Sequence, residues 1–283
     1  MINVALSHDV DRINKTYQYA TQIVLGLKKL DGKKIGTQIK SFFSKEPYWQ
    51  FDKIIEIEEK YSVKSTFFIL NESIKFQVAN VKSWKLALGR YKLNNPKLVK
   101  MIKWLDKNGW EIGVHGSYES YNNKELLKNE KNELEKLLDH DVIGIRQHYL
   151  NLNENTWSLQ REVGFKYDST WGFTDNIGFK GEKVQPFTPF NNEFIVYPLN
   201  IMDYCFINEK NRWKKFQQIV ETVEENNALL VINWHQRVFN EDEFPGYSKN
   251  YIKIIETLKN MDANFYTIKE YYQKFNINNA FNN

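Results

Sequence analysis

Short apolar runs alternate with longer amphipathic stretches along most of the chain. INVALSH (residues 2–8) reads as a buried strand. NKTYQYATQIVLGLKKL (14–30) has apolar positions at helical spacing, and DGKKIG breaks it. YWQFDKIIEIEEKY is helical again, KSTFFIL (64–70) is a second strand, and 71–95 is irregular and aromatic, with Trp84 and Tyr91. NPKLVKMIKWLDKNG places a proline near a helix start and Gly109 at its end, followed by the strand WEIGVH (110–115). The alternation continues through a helix over 123–138, the strand VIGIRQHYL, a helix ended by Gly164 and the strand FKYDST. EFIVYPLNIMD is the next strand, a helix covers about 210–226, and ALLVINWH (228–235) is the most apolar late strand. NYIKIIETLKNM is the last long helix, and a short strand at 263–267 precedes IKEYYQKF.

Strands that alternate with helices predict a largely parallel α/β sheet, open or closed into a barrel. There is no repeat, low-complexity run or linker, so residues 1–283 are read as one domain, with 276–283 expected to fray. The 39 basic and 35 acidic residues are interspersed, which gives nucleic-acid binding no support. One cysteine, Cys205, excludes an internal disulfide and a cysteine-rich metal site. No apolar stretch is long enough to span a bilayer and no leader pattern opens the chain, so a cytoplasmic location is the expectation. Apolar helix positions look alike at an interface and in a core, so the sequence assigns no oligomeric state.

The chemistry-bearing residues gather at one kind of place. Asp9 and Asp11 end the first strand, His115 the third, Arg146 and His148 the fourth. Asp168, Asp203 and His235 end later ones. In parallel α/β folds the carboxyl ends of strands meet at one face, where ligands bind. Asp9 and Asp11, two apart in an extended segment, point the same way, and two buried carboxylates side by side call for a cation. His8 points to the opposite face and reads as a packed residue. His115 and Glu119, four apart, would reach one point if a helical turn started there. With Asp11 they would make a divalent-metal set, zinc first, with iron, manganese or cobalt also suitable. Arg146 needs an acid partner, and Asp9 is the candidate.

These motifs resemble the polysaccharide deacetylase superfamily, the NodB-homology or carbohydrate esterase family 4 group. The likeness runs from SHDVD to LLVINWH and is nearest the branch associated with surface-polysaccharide and O-antigen biosynthesis. It implies a distorted (β/α) barrel of about seven parallel strands. It also implies metal-dependent hydrolysis of an N-acetyl group on an amino sugar in a surface-glycan precursor or polysaccharide. Asp9 would be the base and Asp11 a metal ligand. HGSYE keeps His115 and puts Glu119 where the family has a second histidine. Arg146 of IRQHY would hold Asp9, and the usual nearby proline is missing. Asp168 and Trp171 of YDSTWGF would support the catalytic histidine and shape the pocket, and His235 of INWH would be the acid. Trp171, an aromatic from 71–95, His148, Asp203 and Arg237 are the candidate substrate contacts, with turn-capping an equal alternative for Asp203 and a surface salt bridge one for Arg237. Two competing readings remain open: a metal-dependent hydrolase of a non-sugar or cyclic amide, and a silent glycan-binding scaffold, for which Glu119 is the main support.

Overall fold

The computed structural model describes residues 1–28, 30, 32–43, 46–190 and 194–276. Beyond Asn276, the stretch expected to fray lies outside the described residues. The strands are β1 (Asn3–Val10), β2 (Ser65–Leu70), β3 (Glu111–Gly116), β4 (Gly144–Gln147), β5 (Tyr167–Asp168), β6 (Phe187–Phe190), β7 (Phe194–Val196), β8 (Leu199–Met202), β9 (Leu229–Asn233) and β10 (Asn264–Tyr266). The helices are α1 (Gln18–Lys28), α2 (Gly32–Phe42), α3 (Phe51–Lys60), α4 (Val81–Ala87), α5 (Pro96–Lys107), α6 (Lys124–Leu138), α7 (Thr156–Val163), α8 (Asp203–Asn208), α9 (Arg212–Glu225), α10 (Tyr247–Lys259) and α11 (Ile268–Asn276).

The sheet runs β6-β7-β5-β4-β3-β2-β1-β9-β8, with β10 also paired to β1. Every described pairing is parallel except β6 with β7. The sheet curls into an open, distorted half-barrel, as expected, and a bridge from Gly172 to Leu199 links the loop after β5 to β8. The parallel strands outnumber the expected seven. One reason is that EFIVYPLNIMD is two strands: β7 and β8 part at Tyr197-Pro198, where proline has no N–H to give a ladder. The helix expected over 14–30 ends at Lys28, before DGKKIG, but no helix was expected next. A second helix, α2, starts at Gly32, so α1 and α2 form a hairpin between β1 and α3. The 71–95 segment contains the short α4.

All of β1 is buried, and its residues sort by parity. Val4, Leu6 and Val10 enter the core under the outer helices. Ala5 faces the barrel interior with Phe68, Tyr167, Leu229 and Val231. Ser7 and Asp9 continue that inner row. His8 points outward as expected, its ring 4.8 Å from Phe67 and 5.5 Å from Tyr251. The interior takes large rings because small residues stand opposite them. A Cβ at Gly144 would lie 2.1 Å from the Tyr167 ring, and one at Gly113 would lie 2.7 Å from Phe68. Ile268 and Tyr271 of α11 join this inner cluster. The α11 backbone is tied to the amino ends of two strands, Ile268 N donating to Thr66 (3.0 Å) and Lys269 N to Glu111 (2.8 Å). One end of the barrel is therefore plugged by α11, which leaves the carboxyl ends of the strands as the open end.

Candidate metal centre

The open end collects the strand tips. β1 brings Asp9 and, just beyond it, Asp11. β3 brings His115, β4 brings Arg146 and then His148, β8 leads into Asp203, and β9 leads into His235. Asp9, Asp11, His115, His148 and His235 line a cleft of about 450 Å³ together with Tyr149, Tyr204 and Arg237, while Arg146 and Asp203 are buried outside its lining.

Asp11, His115 and His148 form a buried group whose ligand atoms all lie within 4.8 Å of one another. His115 Nδ1 sits 2.8 Å from the Arg146 carbonyl, to which it must donate, so its Nε2 faces Asp11 Oδ1 at 3.3 Å. His148 Nε2 lies 3.5 Å from the same oxygen. Asp11 Oδ1 is buried and receives no hydrogen bond. A buried carboxylate oxygen without a donor, faced by two imidazole nitrogens, fits a cation. Burial pushes the His148 pKa down to about 4 despite nearby Glu72, so at neutral pH the ring is the uncharged form that ligates metals. For Asp11, burial works against ionisation, but Arg237, His115 and His148 outweigh it and hold the carboxyl well below the usual range.

This set corrects the expectation for Glu119. No helical turn starts at His115. β3 stays extended through Gly116, the chain turns at Tyr118, and Glu119 is exposed outside the cluster. The second imidazole comes from His148, expected only to touch substrate. β4 ends at Gln147, and Tyr149 and Leu150 follow with φ of +58° and +53°. That sharp turn leaves the His148 ring 5.2 Å from the His115 ring.

Asp9 stands beside the cluster. Its Oδ1 accepts from Arg146 Nη1 at 2.9 Å and its Oδ2 from Asn233 Nδ2 at 2.8 Å. Burial raises its pKa, but Arg146, His115 and His235 more than offset this, so Asp9 stays ionised. The fully buried Arg146 also donates to Ser7 Oγ (2.8 Å), Ser169 O (2.9 Å) and Ser169 Oγ (2.9 Å), and its guanidinium lies 4.4 Å over the Phe68 ring. The pairing read from sequence is thus present, with nearly every donor used.

Across the cleft, His235 Nδ1 is 2.9 Å from Asp203 Oδ2, which also accepts from His235 N at 2.6 Å. Burial alone would lower the His235 pKa. Asp203, aided by Asp11, overrides it and raises the pKa to about 9, so the ring is cationic at neutral pH. Asp203 is therefore the partner of this histidine. Asp168, expected in that role, instead accepts from Thr170 N (2.8 Å), Gln160 (3.0 Å) and Trp157 (3.3 Å) and organises the loop carrying Ser169. Asp203→Asn should bring the His235 titration midpoint in the metal-free protein from about 9 to below about 8. Histidine ring NMR against pH reads this directly, and an unmoved midpoint would refute the assignment.

Three other expected contacts are placed differently. Trp171 donates to Lys180 O at 2.9 Å and packs among Trp157 and Phe187, away from the cleft lining. Trp84 is tied to the carbonyls of Gln77 and Val78 and Tyr91 is buried, its hydroxyl donating to Val10 O at 2.6 Å, so neither ring lines the cleft. Arg237 lines it but is paired with Asp11 Oδ2. Cys205 is buried and its thiol pushed up to about 12, unsuited to nucleophilic attack.

Two cleft arginines carried no sequence signal. Arg12 donates to the carbonyls of Leu88 and Lys85, the latter at 2.6 Å, and to Tyr17 OH at 3.3 Å. Arg90 donates to Leu86 O at 2.8 Å and Asp11 O at 2.9 Å. Neither forms an ion pair with a carboxylate among the described residues. Burial, then the neighbouring Arg90 charge, pushes the Arg12 pKa down to about 10, as for cations short of an anion. Gly89, the residue before Arg90, packs against Arg12 at φ +69°, where a Cβ would meet Thr16 Oγ1 at 2.0 Å and Arg12 Nη1 at 3.1 Å.

No protein-family model and no curated protein matches the chain. Among solved structures, it superposes on a candidate polysaccharide deacetylase from Mycobacterium smegmatis with a TM-score of 0.62. The identity is 15%, over 98% of this chain and 91% of that one. An allantoinase gives a TM-score of 0.58 at 12% identity, over 97% and 91%. A 4-alpha-glucanotransferase from Thermococcus litoralis gives 0.58 at 18% identity, over 97% of this chain but 40% of that one. At such identities the likeness is one of fold. The chain has a polysaccharide-deacetylase-like fold of the NodB-homology type, and its open end carries a buried Asp–His–His cluster able to hold a divalent cation.

Proposed function

We propose that this chain is a metal-dependent hydrolase that removes the N-acetyl group from an amino sugar of a surface-glycan precursor. One observation carries the reading: the Asp11–His115–His148 cluster lies between an ionised carboxylate, Asp9, and a protonated imidazole, His235, in one cleft. A divalent cation bound there would acidify a water and polarise an amide carbonyl. Zinc suits three N and O donors with an open position, and iron, manganese or cobalt would also be held.

The chain's own groups divide the proton traffic. Asp9, kept charged by Arg146, takes a proton from the attacking water. His235, with Nδ1 held by Asp203, presents Nε2 as the proton donor to the leaving amine nitrogen. Acetate and a free amino sugar result. Tyr149 and Tyr204, both more than half exposed on the rim, offer ring faces to a sugar. Arg12 and Arg90 would meet a phosphate or carboxylate on an activated precursor. The shared fold with an allantoinase keeps cyclic-amide hydrolysis as the second reading.

The test is acetate release by the zinc- or cobalt-loaded protein from N-acetylated sugar nucleotides, lipid-linked sugars and oligosaccharides, with cyclic amides alongside. Release from at least one sugar class is expected. Ring opening of a cyclic amide with no acetate release would favour the second reading. Glycan binding without any turnover would leave a silent scaffold.

A further inference from the structure

The α1–α2 hairpin exposes apolar side chains that a water-facing surface does not need. Leu30 is 93% exposed, Phe43 82%, Phe42 66%, Leu27 60%, Ile39 53% and Val24 49%. Single exposed hydrophobics are ordinary, but six within twenty residues of one hairpin mark an interaction surface. The same segment is strongly basic. Residues 18–45 hold six lysines and one aspartate, net +5, whereas the other 255 residues carry 33 basic and 34 acidic side chains. The whole net positive charge of the chain therefore comes from this segment, the rest being net −1.

We propose that the hairpin docks on an anionic membrane surface, its apolar side chains entering the interface and its net positive charge favouring anionic lipid headgroups. Basic and apolar residues combined on short helices make an interfacial anchor. None of the described helices is long and apolar enough to cross a bilayer, so the hairpin lies on the surface. Charge argues against a second copy as the occupant. A two-fold contact through this patch would set net +5 against net +5. Tyr17, Gln18 and Gln22, at the hairpin's start, line the cleft described above. Docking therefore brings the cleft mouth to the headgroup layer, within reach of a substrate carried on lipid. The membrane contact stands whether or not the hydrolase reading holds; only the substrate's presentation rests on it.

Co-sedimentation of the full chain with vesicles tests the proposal. The probes are pure phosphatidylcholine and phosphatidylcholine with phosphatidylglycerol at about a third of the lipid, each at low and high salt. Binding to the anionic vesicles is expected, at least about tenfold stronger than to the neutral ones and weakened by salt. Phe42→Ser combined with Phe43→Ser should lower it about tenfold or more, because both rings are exposed. Lys28→Glu with Lys40→Glu is the charge counterpart and should remove the preference for anionic lipid. Thermal melting confirms that both variants fold. Wild-type protein left in the supernatant with both vesicles would overturn the proposal, as would the serine variant binding like wild type. A wild-type dimer that the serine variant dissociates, with no vesicle binding, would assign the patch to self-association instead.

Discussion

Asp9→Asn is expected to lower turnover of an N-acetylated substrate by about 10²–10⁴-fold, the contribution of a positioned general base. The substitution nearly preserves shape. An asparagine Oδ1 can still accept from Arg146 Nη1, now 2.9 Å from Asp9. The other amide position cannot accept from Asn233 Nδ2 as Asp9 Oδ2 does at 2.8 Å, and two NH₂ groups would face each other unless one amide turns. Arg146 also loses its compensating charge while keeping its bonds to Ser7 and Ser169. Some loss of stability is therefore expected, and the kinetic effect must be read on folded protein. Near-UV circular dichroism and bound metal equal to wild type establish that condition. Turnover within threefold of wild type under it would remove Asp9 from the base role.

Much of this site was legible because strand chemistry is local. The Asp9–Asp11 spacing follows from the two-residue period of β1, and the convergence of His115, Arg146 and His235 follows from parallel strands ending at one face. What stayed hidden depended on turns and on pairing at long range. The choice between Glu119 and His148 rested on whether the chain coils after His115. It stays extended there, and the turn through Tyr149 and Leu150 folds His148 over the cluster instead. Asp203 lies 32 residues from His235, and only the β8–β9 register, which pairs Met202 with Asn233, makes them neighbours. Trp171 followed from the family pattern alone, and its ring is absorbed by local packing with Trp157 and Phe187. Arg12 and Arg90 come from loops, where sequence spacing carries no directional information. The hairpin after β1 escaped for another reason: Gly32 reads as a breaker in a linear scan, yet it opens α2.

The second large effect concerns the metal. Asp11, His115 and His148 are expected to grip one divalent cation, and Glu119 is not. Changing an outer partner of a metal site costs about 10–100-fold in affinity, so His148→Gln, which removes a direct donor, should cost more than about 100-fold. Glu119→Gln alters an exposed side chain outside the cluster and should leave affinity within about twofold. The neighbouring Arg237–Asp11 and Arg90–His148 contacts must yield when the ion enters, so Arg237→Gln should raise affinity and not lower it. Titration of zinc into wild type, His148→Gln and Glu119→Gln, each checked for folding, decides the matter. One zinc per chain, lost with His148→Gln and kept with Glu119→Gln, is the predicted result. Affinity that survives His148→Gln and falls with Glu119→Gln, or wild type that binds no ion, would contradict it.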